Sequence, residues 1–369
     1  MKNVMKIMLV ALTAISFSVA NAGELSVTGS AKASYVITSS DGNAGKVELG
    51  KGLGVANEFT LSASGELDNG MSWNYAQDID NGTVQDDGKM TLTTDFGTFG
   101  IFISEGGLDV DNTASQSVIS RPSDTSYNEG MVDTWDLSGM NTLQYHMPAD
   151  MLPFGIVGKV AYAPSSSSAA NANASYKATG ATNTGAFTAL TGTGGTIFNS
   201  TTAPILQTST MGTSATHYQV KAAPIDGLAV GADYVDYSGV TDCTAQCPES
   251  GAYYFTYAYG PATLGYSKTY LATALATGNT DLLESIEGTK YSVAVNVNDN
   301  FSISYENEES NPNTKTNGTT DYTITSTGIQ AAYTMGGMTM AIAMNEHENA
   351  RYTENLNVKD TVFSVAMAF

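Results

Sequence analysis

The chain is short of charge, of basic residues, of cysteine and histidine, and of long apolar runs. Charged residues make up 14% of its 369 positions, well below the roughly 25% of an ordinary soluble protein. Lysine and arginine number 15 against 36 acidic residues, a formal net charge of −21. A general nucleic-acid binder, which needs a basic footprint for phosphate, is therefore excluded. The three histidines, His146, His217 and His347, are scattered. No Gly-x-Ser-x-Gly, His-x-x-x-His or phosphate-cradling glycine loop accompanies them, so no enzyme class is indicated. Beyond Ala22 no apolar run exceeds five residues, whereas a membrane-crossing helix needs about 20. A membrane role would then require a closed β-barrel, the other structure that satisfies every backbone group in lipid.

The first residues do carry a recognisable segment. Lys2 and Lys6 precede an apolar stretch over 7–20, followed by Ala20-Asn21-Ala22. This basic, apolar, small-residue order predicts a secretory signal peptide cut after Ala22, leaving one domain over 23–369. That domain would hold 13 basic residues (15 less Lys2 and Lys6) against 36 acidic ones, a net charge of −23. The two cysteines lie in Asp242-Cys243-Thr244-Ala245-Gln246-Cys247. After export they would meet an oxidising compartment, and a disulfide closing a small loop is expected.

From Glu24 onward the chain alternates apolar and small or polar residues with the strand period of two. Leu25, Val27, Ala31, Ala33, Tyr35 and Ile37 share one face, and Ser26, Thr28, Ser30, Lys32 and Ser34 the other. Similar runs include Tyr253, Phe255, Tyr257, Tyr259 and Tyr291, Val293, Val295, Val297. Tight turns are expected at 68–70, 95–97, 148–153, 224–227, 260–261, 298–300 and 335–337. Long polar loops are expected at 39–54, 81–88, 105–139, 164–213, 238–250, 272–286, 310–320 and 346–353. Seven turns and eight loops in strict alternation predict sixteen strands of about ten residues each, all antiparallel, with the long loops at one end. A β-sandwich or propeller also has many short strands. It would not place every long loop at alternate connections, and the Ser/Thr/Ala face could not build a shared core.

The final strand sharpens this picture. Phe363, Val365, Met367 and Phe369 alternate up to the last residue. This ending resembles the C-terminal strand of bacterial outer-membrane β-barrels, whose assembly machinery reads a terminal Phe after alternating apolar residues. Strand number, loop order and the leader together resemble the general bacterial outer-membrane porins, of a branch similar to those of alphaproteobacteria. The enterobacterial loop signature Pro-Glu-Phe-Gly-Gly-Asp is absent, and only Glu105-Gly106-Gly107-Leu108-Asp109 is loosely similar to it.

The resemblance implies a sixteen-stranded transmembrane barrel with short periplasmic turns, long extracellular loops and a third loop folded inward. It further implies a homotrimer in contact with outer-membrane lipids and lipopolysaccharide, passing small polar solutes and ions. The third loop holds Glu105, Asp109, Asp111, Asp124, Glu129, Asp133 and Asp136 beside Arg121. Strand parity sends Lys32, Lys159, Lys221 and Lys290 to the lumen, where water makes a lysine cheap, whereas at the lipid midplane it would cost roughly 2–4 kcal/mol. Acidic loop against basic wall would set a transverse field across a constriction. No cofactor is implied, although Asp78-Ile79-Asp80 and Asp109-Val110-Asp111 offer hard oxygen ligands of the kind Ca²⁺ takes. Two other readings keep the barrel: a substrate-selective channel gated by the fourth loop at 164–213, and a plugged surface adhesin or structural barrel.

Overall fold

Because side chains alternate sides along a strand, a sheet whose two faces are apolar and polar can close on itself with the apolar set outermost. The computed structural model has this form. It describes residues 24–42, 47–80, 83–104, 107–124, 130–134, 137, 139–164, 214–240, 243–272, 283–314, 322–352 and 354–369. The sixteen strands are β1 (Glu24–Gly42), β2 (Val47–Glu66), β3 (Ser72–Asp80), β4 (Thr83–Thr94), β5 (Gly97–Ile103), β6 (Thr142–His146), β7 (Val157–Ala163) and β8 (Ser214–Ile225), followed by β9 (Leu228–Ser238), β10 (Glu249–Tyr259), β11 (Ala262–Ala272), β12 (Leu283–Asn298), β13 (Phe301–Thr314), β14 (Ile324–Met335), β15 (Met338–Glu348) and β16 (Leu356–Ala368). Each pairs with its sequence neighbours, and β1 pairs with β16, so the sheet closes without an edge. The expected signal peptide, 1–22, lies outside the described residues.

The seam is the strand pair the sequence singled out. Ala33 faces Val365 and Tyr35 faces Phe363, in antiparallel register. At its foot Gly29 and Phe369 exchange both backbone hydrogen bonds, at 2.8 and 2.9 Å. The Phe369 ring lies where a Cβ on Gly29 would come within 2.9 Å of it, so only glycine seats it there. Phe363, Met367 and Phe369 remain exposed on the outer surface, Phe369 by 64%. They belong to a band that includes Leu53, Val55, Tyr253, Leu264, Ile329 and Met340. Such a band is stable only against lipid or another apolar surface.

Several loop boundaries differ from the expectation. Strands range from 5 residues in β6 to 20 in β2, rather than about ten throughout. The loop expected at 39–54 shrinks because β1 runs on to Gly42 and β2 starts at Val47. That expected at 81–88 reduces to the two residues between Asp80 and Thr83, which pair directly. Those two are Asn81-Gly82, the dipeptide that most favours a tight hairpin. A ladder needs only backbone partners, so polar residues prolong strands beyond the apolar band.

Candidate functional site

Between β5 and β6 the chain does not stay at the barrel rim. It enters the lumen and runs along the inner wall from β8 to β14, held by wall side chains that replace the strand partners its backbone lacks. Leu108 N–H donates to His217 Nδ1 at 3.1 Å and Val110 N–H to Asp233 Oδ2 at 2.7 Å. The Ser267 hydroxyl donates to the Asp111 carbonyl at 3.0 Å, and that of Ser292 to the Ala114 carbonyl at 2.7 Å. Further on, Val118 N–H meets Ser304 Oγ at 3.0 Å, and Ile119 N–H meets Gln330 Oε1 at 2.9 Å. The Ser115 and Ser117 hydroxyls both donate to Glu306 Oε2, at 2.5 and 2.6 Å. Six strand spacings of about 4.8 Å, from β8 to β14, amount to roughly 29 Å, which a dozen extended residues cover. Gly265 makes the approach possible, since a Cβ there would come within 1.7 Å of the Ala114 carbonyl oxygen.

At β12 and β13 five charged side chains come together, drawn from the start of the track (Asp111), from just beyond its end (Arg121), from further along the loop (Asp133) and from the wall (Lys290, Glu308). Asp133 Oδ2 is 2.7 Å from Lys290 Nζ and 2.9 Å from Arg121 Nη1. Asp111 Oδ2 is 3.4 Å from Lys290 and 3.9 Å from Arg121. Glu308 Oε1 is 3.4 Å from Arg121 and 4.0 Å from Lys290. Asp124, at the rim of the cluster, holds Arg121 Nε at 2.9 Å. Burial opposes the charge on Asp133, but Lys290 and Arg121 outweigh it and keep its carboxyl below the ordinary range. Burial likewise opposes the charge on Arg121, and Asp133, Glu308 and Asp124 more than restore it.

The expected site residues therefore fall into groups. Asp111, Arg121, Asp124, Asp133 and Lys290 meet in one ionic cluster, with Asp111 and Asp133 bound to cations rather than set across open space from them. Asp109 is half-buried between the two anchored residues Leu108 and Val110. Glu105, Glu129 and Asp136 lie outside the described residues. Lys32, Lys159 and Lys221 occupy lumen-facing register positions beside Ala366, Gln219 and Gly231 respectively, and Lys221 Nζ stands 5.9 Å from the centre of the Tyr254 ring. Cys243 and Cys247 are joined through their sulfurs, at 2.13 Å. Among the described residues no group of three or more His, Cys, Asp or Glu is arranged to hold a metal.

Sequence reasoning missed the wall partners His217, Asp233, Glu306, Glu308 and Gln330. Their signal was present: large polar residues at lumen-facing positions where most strands carry Ser, Thr or Ala. It also missed a hydrogen-bonded chain in β14–β16. Ser326 Oγ lies 2.9 Å from His347 Nδ1, and His347 Nε2 lies 3.0 Å from Asp360 Oδ1. These residue types perform nucleophilic catalysis elsewhere; here Ser326 is fully buried.

A closed sixteen-stranded antiparallel barrel with its third loop folded inward is the bacterial porin-type fold. Among solved structures, a double mutant of the Rh. blastica porin is similar with a TM-score of 0.52 at 11% identity, over 94% of this chain and 100% of that one. OmpTdeltaL8, a loop L8 deletion mutant of OmpT, an outer membrane protein of Vibrio cholerae, gives 0.59 at 11% identity, over 95% and 100%. No family model and no curated protein sequence matches the chain.

Proposed function

We propose that the protein is a passive diffusion channel of the bacterial outer membrane, admitting small hydrophilic solutes and ions. The observation that carries this reading is the inner lining. Sixteen strands about 4.8 Å apart and tilted by about 40° enclose a ring roughly 32 Å across, too wide for side chains alone to fill. The third loop runs along β8–β14, so the passage lies between it and the wall of β1–β7, β15 and β16. Lys32, Lys159 and Lys221 would supply positive charge to that passage. Glu58, Asp78 and Asp80 share the lumen-facing register of β2 and β3 and would oppose them. A transverse field then arises from wall charges as well as from the loop, because the cluster around Asp133 sets two cations against four carboxylates and so cancels part of its own charge. Such a field orders water and favours polar solutes. The apolar outer face of β1, β2, β15 and β16 suits the contact between subunits of a homotrimer, and the remaining band suits outer-membrane lipid and lipopolysaccharide.

Liposome swelling with sugars of rising size tests the reading. Uptake should fall smoothly with solute radius and show no saturation. Saturable uptake of one solute would favour a substrate-selective channel, and no swelling with any sugar would remove the channel reading.

A further inference from the structure

Not every cation of the lumen is paired. Lys290 is held by Asp133, and on the outer face Lys359 by Glu346. Lys159 and Lys221 have no ion-pair partner among the described residues. The one lumen-facing carboxylate of β6–β9, Asp233, accepts the Val110 N–H at one oxygen and turns the other to His217. Lys159 lies opposite Gln219, and Lys221 follows two positions later on the same face of β8. Such diagonal neighbours are rooted about 7–8 Å apart, within reach of each other's long side chains. Each charge acts on the other, and two half-buried ammonium groups side by side repel unless an anion lies between them.

Their surroundings form a recess. The Tyr254 ring centre is 5.9 Å from Lys221 Nζ, and the ring packs with Val110 and Ala114 of the third loop. Gly231 leaves the room for this, since a Cβ there would come within 2.6 Å of that ring and 3.0 Å of Lys221 Cγ. On the far side His146 stands opposite Lys159, its Nε2 2.8 Å from Gln144 Oε1 and its ring 5.6 Å from that of Phe102. The Gln219 amide donates to the Leu108 carbonyl and ties the loop above. Since β8 runs from the fourth loop towards the turn at Gly227, Lys221 lies on the short-turn side of this anchor.

We propose that Lys159 and Lys221 form a binding subsite for the phosphate group of a small solute, just on the short-turn side of the constriction. The proposal rests on the channel reading above and names a solute class for it. A tetrahedral dianion offers an oxygen to each ammonium group and balances both charges, which neither a monoanion nor a neutral sugar does. The two lysines are only half-buried, so water competes and the hold is weak enough for release into the lumen, as conduction requires.

The test is single-channel recording of the purified full-length protein in planar bilayers in dilute potassium chloride at neutral pH, with inorganic phosphate or glucose 6-phosphate added. The current should fall saturably, half of the effect being reached at on the order of 1–10 mM. Nitrate at equal ionic strength and glucose should not reproduce this. Lys159→Gln and Lys221→Gln should each raise the half-effect concentration about tenfold, whereas Lys32→Gln, the same loss of charge away from the pair, should leave it unmoved. An unmoved value in K159Q and K221Q, or an equal rise in K32Q, would overturn the proposal. Should those variants fail to form barrels, the wild type decides: nitrate acting as strongly as phosphate overturns the subsite. An effect of the ester equal to that of inorganic phosphate assigns the subsite to phosphorylated solutes, and an effect of inorganic phosphate alone assigns it to the free anion. Absence of conductance sinks the channel reading, whereas conductance indifferent to phosphate sinks the subsite alone.

Discussion

Replacing Lys290 with methionine keeps the length of the side chain and deletes its charge. In the wild type Lys290 Nζ lies 2.7 Å from Asp133, 3.4 Å from Asp111 and 4.0 Å from Glu308. After K290M the three carboxylates retain one cation among them, Arg121, itself 2.9 Å from Asp133. Breaking a buried ion pair from one side costs about 3–5 kcal/mol, because the remaining charge is left uncompensated. At about 1.4 kcal/mol per decade, a loss of 4 kcal/mol lowers the ratio of held to released loop about a thousandfold. Lys290 and Glu308 are cross-strand neighbours of β12 and β13, but the ladder is made by backbone groups that the substitution leaves in place, so the barrel should still assemble. In planar bilayers the variant should show frequent sublevels and excess open-channel noise. Adding Asp133→Asn removes one uncompensated charge and should restore quiet openings in part, giving a coupling energy from the double-mutant cycle. A K290M channel that assembles and conducts as quietly as the wild type would refute the idea that this cluster holds the loop.

The same cluster fixes an acid limit. Asp133 is held below the ordinary carboxylate value of about 4, so its contribution is complete above that pH and is lost as pH falls through its lower value in the folded protein. The share of the hold that Asp133 supplies should be lost only below about pH 4, and an acid step in that range that survives Asp133→Asn would contradict the assignment. Lys159→Gln with Lys221→Gln removes positive charge from the lumen wall and should move the reversal potential in a salt gradient towards cation preference, whereas Asp111→Asn should move it less. Deletion of Phe369 removes both backbone bonds to Gly29 and should lower the yield of folded barrel, read as loss of the heat-modifiable band on a gel, while residual channels conduct normally.

The barrel was legible in the sequence because its period, its turns and its closing strand are local signals. The alternation of Phe363, Val365, Met367 and Phe369, and the matching run from Leu25 to Ile37, foretold the seam β1–β16. The boundaries of the fourth loop also agree: 164–213 was expected, and β7 ends at Ala163 and β8 begins at Ser214. Strand ends were less legible where polarity was taken for a loop, as at 81–88, although Asn81-Gly82 itself signalled a hairpin. The infolded loop was placed by resemblance, but its partners could not be read from spacing. Lys290 and Asp133 are 157 residues apart and Ile119 and Gln330 are 211 apart. Only the closed sheet decides which wall position meets which loop residue. Parity did send Lys290 to the lumen. It could not show that Asp111 and Asp133 would bind this lysine directly and so neutralise part of the field they were expected to set up.

The most direct test of the central claim is the conductance of the purified full-length protein reconstituted into a planar bilayer at neutral pH. A diffusion channel of this architecture predicts large stepwise increases in current, linear with voltage, arriving in threes if the barrels insert as trimers. A bilayer that stays silent after insertion of correctly folded barrels would contradict it.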